Sequence, residues 1–68
     1  MTEKGKLTTL LNYLIEHNRE HSEELTELAE KVKKVANDVI REDIQEAARL
    51  MNESTEYLKQ ALMKLRKD

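Results

Sequence analysis

Leu7, Leu11, Leu14, Asn18, His21, Leu25, Leu28, Val32, Val35 and Val39 follow one another by strictly alternating steps of four and three. That spacing is the seam of a long helix that packs along its whole length. Leu10, Ile15 and Ala29 widen the stripe beyond a two-stranded seam, which points to a bundle. Pro is absent and the single Gly is Gly5, so nothing punctuates the run. On the outer faces, Glu27–Lys31 and Glu30–Lys34 are i,i+4 pairs in the favourable order.

Near Val39 the register skips by a residue. A second seam follows through Ile44, Ala47, Met51, Ser54, Leu58, Ala61 and Leu65, widened by Ala48, Tyr57 and Leu62. Asn37 and Asp38 precede the skip. Asn tolerates the left-handed conformation that ends a helix, and Asp is a good N-cap for the next. The expected fold is all-α: a frayed lead over residues 1–5, helix 1 over about 6–36, a turn within about 36–41 and helix 2 over about 41–67. At 1.5 Å per residue each helix is roughly 40–45 Å long. A lone antiparallel hairpin leaves part of each wide apolar stripe bare, so two hairpins are expected to pair as a four-helix bundle. Two alternatives stand beside it. Ser22 follows a run poor in helix formers and could cap a new helix, giving a three-helix bundle. One unbroken helix in a coiled-coil oligomer is the other, and the register skip argues against it.

The chain has 68 residues, one domain at most. A core that small is marginal and is usually supported by disulfides, a metal, ideal packing or self-association. Cys is absent, which removes disulfides and thiolate ligands. The net charge of −2 offers no field for nucleic acid. Acids gather centrally, with Glu16, Glu20, Glu23, Glu24, Glu27 and Glu30 against Arg19, while Lys59, Lys64, Arg66 and Lys67 collect toward the end. Thr8, Thr9, Asn12 and Glu16 interrupt the early apolar run, so neither a secretory segment nor a membrane span is read, and the expected compartment is the cytoplasm. No phosphate loop, nucleophile elbow or cysteine nucleophile is present, and a helical seam offers no oxyanion hole; the chain does not read as an enzyme.

Chemistry is concentrated in Glu16-His17-Asn18-Arg19-Glu20-His21-Ser22-Glu23-Glu24. His17 and His21 lie one helical turn apart on one face, a spacing that can chelate Ni²⁺, Co²⁺ or Zn²⁺. Glu24 is one turn further along and Glu20 flanks the pair. The remaining ligands would come from water or a second copy. The alternative is that His21 and Asn18, on the seam, hydrogen-bond a facing helix and fix its register. A turn near residue 39 places them opposite the region around Tyr57, Leu58 and Ala61, with Ser54 and Thr55 nearby, and the hydroxyl of Tyr57 or Ser54 could satisfy them. Tyr13 and Tyr57 read as bundle packing with wet hydroxyls, and Met51 and Met63 as core filler.

Leu14-Ile15-Glu16-His17-Asn18, then His21, Glu23, Glu24 and Leu25, resemble a family of small helical proteins and appended domains in bacteria and archaea, built around His-Asn-x-x-His. Ala47-Ala48-Arg49-Leu50-Met51, Tyr57-Leu58 and Ala61-Leu62 resemble its second helix, so the likeness runs from about Leu7 to Leu65. The family has no assigned activity. The resemblance implies His17, Asn18 and His21 as a shared polar centre and a link to nickel or cobalt handling. The sequence departs from the pattern at Leu14, Leu25 and Leu28, where larger aromatics are expected, and in lacking Gly at the turn.

The function expected is a self-associating helical interaction or structural module. Its partner is itself, as a homodimer or larger, or another protein, with no nucleic acid, membrane or obligatory cofactor. The alternative is a metal-binding accessory protein using His17, His21 and Glu24.

Overall fold

The computed structural model describes residues 2–35 and 37–67. They form a helical hairpin of two long helices, α1 (Glu3–Val35) and α2 (Asp38–Lys67). The molecule is a rod of 50 × 17 × 10 Å, one helix thick in its short dimension.

α1 starts earlier than expected because Thr2 caps it. The Gly5 N–H donates to Thr2 Oγ1 (3.0 Å) and the Lys6 N–H to the Thr2 carbonyl (3.0 Å). Glu3 then sits in the positive first turn. The helix runs through Ser22 without a break, so the three-helix arrangement does not form. Ser22 is buried mid-helix, and its carbonyl accepts the Thr26 hydroxyl (2.9 Å). At the turn, Asn37 works as an N-cap, not as a left-handed terminator. No described residue has positive φ, and Asn37 Oδ1 accepts the Ile40 N–H (3.2 Å). Asp38 is therefore the first helical residue, where its carboxylate meets Arg41 (3.4 Å). Ala36, where the sequence ends the first helix, lies outside the described residues.

The helix ends at the turn, Val35 and Asp38, set an antiparallel register in which facing residue numbers add to 73. Burial follows that register. On α1 the covered residues are Thr8, Leu11, Ile15, Asn18, Ser22, Leu25, Ala29 and Val32 along the seam, with Gly5, Leu14 and His17 partly covered beside it. On α2 they are Arg41, Ile44, Ala48, Met51, Thr55, Leu58, Leu62 and Leu65. One column of each expected seam is in place: Leu11, Asn18, Leu25 and Val32, and Ile44, Met51, Leu58 and Leu65. The second column is shifted by one residue. Thr8, Ser22 and Ala29 replace Leu7, His21 and Leu28, Ile15 is covered together with its neighbour Leu14, and Ala48, Thr55 and Leu62 replace Ala47, Ser54 and Ala61.

The reason for the shift is the width of the stripe. A single neighbouring helix covers only one side of it, and small side chains there let two backbones approach closely. Among the described residues Ser22, Ala29, Ala48, Thr55 and Leu62 are buried, and no large side chain is fully enclosed. The buried hydroxyl of Thr55 is satisfied within its own helix by the Met51 carbonyl (2.9 Å).

Candidate functional site

With this seam fixed, helical periodicity assigns the two flanks of the hairpin. One flank carries Arg19 on α1 and Asn52 and Lys59 on α2, around a shallow cleft also lined by Ile15 and Thr55. It is polar. The other carries Leu7, Leu14, His21 and Leu28 on α1, and Ile40, Ala47, Ser54 and Ala61 on α2. Leu10, His17, Glu24 and Lys31, and Asp43, Leu50, Tyr57 and Lys64, lie just outside them. This second flank is largely apolar and open. Leu7 is 50% exposed, Leu10 52%, Leu28 46% and Leu50 52%.

The histidines sit midway along the open flank and are brought together. His17 Nε2 and His21 Nε2 are 2.9 Å apart, with the rings edge-to-face at 4.3 Å between centroids. Tyr13 stacks on the other side of His17, 5.5 Å between ring centres and 14° from parallel. His21 Nδ1 lies 3.5 Å from Glu24 Oε2. The result is a continuous row, Tyr13–His17–His21–Glu24, along one helix. Within the pair one imidazole Nε2–H donates to the Nε2 of the other ring.

Two ligands at right angles around a metal, with metal–nitrogen distances of 2.0–2.1 Å, are themselves about 2.9 Å apart. The imidazole pair therefore has the span of two neighbouring octahedral positions, whereas tetrahedral ligands at those lengths stand about 3.3 Å apart. Glu24 is not a third ligand on the same side; it stands behind His21, where a carboxylate orients a metal-binding ring. Among the described residues, no group of three or more His, Cys, Asp or Glu is placed to hold a metal ion.

The other polar residues of the sequence centre are divided between two surfaces. Asn18 is half-buried in the seam between the helices, whereas His21, Ser54 and Tyr57 are exposed on the open flank. No hydrogen bond among the described residues joins Asn18 or His21 to Ser54 or Tyr57. Tyr13 is the participant that the sequence does not single out, although its i,i+4 spacing from His17 is legible.

Away from this row, arginines tie the acidic surface together. Arg19 bonds Glu16 and also reaches Glu23 (3.2 Å); Arg49 bonds Glu46 and reaches Glu53 (2.8 Å). The hydrogen bond and charge of Arg19 hold the Glu16 carboxyl below its ordinary range, and the bond from Arg49 does the same for Glu46. Both guanidinium groups are held protonated more firmly in return.

Residues 7–65 match the family described as Domain of unknown function (DUF8180). The chain belongs to this family. The match spans both helices and contains the whole Tyr13–Glu24 row and the opposing surface of α2. No curated protein and no solved structure matches the chain. No helix among the described residues is long and apolar enough to cross a membrane.

Proposed function

We propose that the protein is a self-associating interaction module that pairs through its open flank with a second copy, completing a four-helix bundle. One observation carries the reading. The hairpin buries only Ala29, Ala48 and Leu62 among its described apolar side chains, yet leaves Leu7, Leu10, Leu28, Ile40 and Leu50 about half exposed or more along one flank. Two exposed apolar patches on one face, separated by a polar centre and rimmed by charge, mark an association site. The opposite flank is polar, so association through the open one closes on itself at two copies instead of propagating. The reading is of a binding surface and not of an enzyme. Light scattering tests it: the expected mass is twice the 8.0 kDa of the chain. A folded species at 8.0 kDa throughout the micromolar range rejects it.

A second reading is favoured by the 2.9 Å separation of the two Nε2 atoms: a metal-binding accessory role in which His17 and His21 chelate Ni²⁺, Co²⁺ or Zn²⁺ with Glu24 orienting His21. Calorimetric titration with each metal tests it. Saturable binding that is lost in His17→Ala supports it, and no saturable binding at pH 7.5 ends it.

A further inference from the structure

We infer that the second copy docks with its α2 over α1 of the first, about a two-fold axis parallel to the helices, so that His17 and His21 of one chain meet Tyr57 and Ser54 of the other. This rests on the self-association proposed above and adds the mode of pairing. Only two-fold axes lying in the plane of the open flank bring two such flanks together. One runs parallel to the helices and sets α1 over the partner's α2 at the same level. The other runs across them and sets α1 over the partner's α1, end for end.

Three features of the flank select the first. The inner column of α1 is bulky (Leu7, Leu14, His21, Leu28), whereas that of α2 is small over the same levels (Ala47, Ser54, Ala61). Seating α1 on the partner's α2 puts a ridge into a groove at three successive levels: Leu14 by Ala61, His21 by Ser54 and Leu28 by Ala47. The crosswise axis would oppose ridge to ridge on one side and groove to groove on the other, leaving uneven layers. Polarity also matches. Ser54 and Tyr57 are exposed and have no hydrogen-bonding side-chain partner in their own chain among the described residues, and they stand level with His21 and His17. The arrangement gathers these groups into one central polar layer between apolar ones, the device by which bundles fix their register. Charge agrees at one end, where Lys31 faces Asp43 of the partner subunit, and Leu10 lies along the stem of the partner subunit's Lys64. Glu24 faces an apolar residue, Leu50 of the partner subunit, and keeps its contact with His21. The hydroxyls of the partner subunit's Ser54 and Tyr57 then close the open side of the imidazole pair.

Cysteine cross-linking tests the mode, because a disulfide needs Cα atoms within about 7 Å. Leu14→Cys and Ala61→Cys chains are prepared separately, mixed, refolded together and oxidised. The expected product is a linked heterodimer that neither variant forms alone. Ser54→Cys alone is expected to stay unlinked, because the two copies of α2 lie diagonally across the bundle. Efficient linking of Ser54→Cys alone, or a mixture that stays unlinked although light scattering shows dimers, overturns the mode while self-association stands. A mass of 8.0 kDa for the unaltered chain under the same conditions rejects both.

Discussion

The strongest perturbation of the open flank is the double variant Leu10→Ser, Leu28→Ser. Leu10 and Leu28 are 52% and 46% exposed, so about half of each side chain remains to be buried by a partner. Full burial of a leucine contributes about 1.5–3 kcal/mol, so each half contributes roughly 0.8–1.5 kcal/mol. A two-fold assembly contains four such side chains. Removing them weakens the dimer by about 3–6 kcal/mol, or roughly 10²–10⁴ in Kd. Sedimentation equilibrium over the micromolar range reads this as a fall from twice the chain mass to 8.0 kDa. The matched control is Asn52→Ser, which alters the polar flank and is expected to leave the mass unchanged. The reasoning is refuted if the double leucine variant dissociates no more readily than the control.

Four further outcomes are expected. Ala29→Leu overfills the most enclosed position of the seam, where Ala29 is 1% exposed, and lowers stability by about 1–3 kcal/mol in chemical denaturation; an unchanged midpoint would place the seam elsewhere. His21→Leu extends the apolar flank and stabilises the assembly by up to about 1 kcal/mol in the same assay, and a loss of several would show that His21 makes contacts leucine cannot replace. Glu16 and Glu46 have lowered folded pKa values, so their stabilisation is present above the ordinary value of 4.5 and is lost as pH falls through the lowered one. The acid limb of a helicity titration should therefore be shallower in Glu16→Gln, Glu46→Gln than in the unaltered chain, and superimposable curves would contradict this. If metal binds, His17→Ala and His21→Ala each weaken it sharply and Glu24→Gln by less, measured by calorimetry, because Glu24 acts behind the ring; equal losses in all three would make Glu24 a direct ligand.

The two-helix hairpin was legible because no Gly or Pro interrupts residues 6–35 and because Asn37-Asp38 coincides with the register skip. Half of each seam was legible for the same reason: Leu11, Leu25 and Val32, like Ile44, Leu58 and Leu65, lie at the middle of a wide stripe and are covered whichever side packs. The other half was not. Leu14 and Ile15, or Leu28 and Ala29, are adjacent apolar positions on opposite sides of that middle, and periodicity alone weights the larger residue. Close helix approach favours the smaller one, so Ser22 and Ala29 are enclosed and His21 and Leu28 are left outside. That one-residue rotation also moves His21, Ser54 and Tyr57 from the interior of the chain to its surface. The His17–His21 proximity was legible from i,i+4 spacing, whereas the place of Glu24 behind the ring depends on rotamers that the sequence does not specify. The extra turn at the start of α1 lies ahead of the heptad seam and rests on the Thr2 cap, which the apolar spacing does not mark.

The most direct test of the central claim is thermal unfolding followed by circular dichroism at a series of protein concentrations. If the open flank is covered by a second copy in the folded state, association stabilises that state by mass action and Tm rises with concentration. Leu10→Ser, Leu28→Ser should lower Tm and flatten the dependence together. A Tm independent of concentration, with a cooperative transition at a mass of 8.0 kDa, would contradict the account, because the hairpin would then be stable with its apolar flank in water.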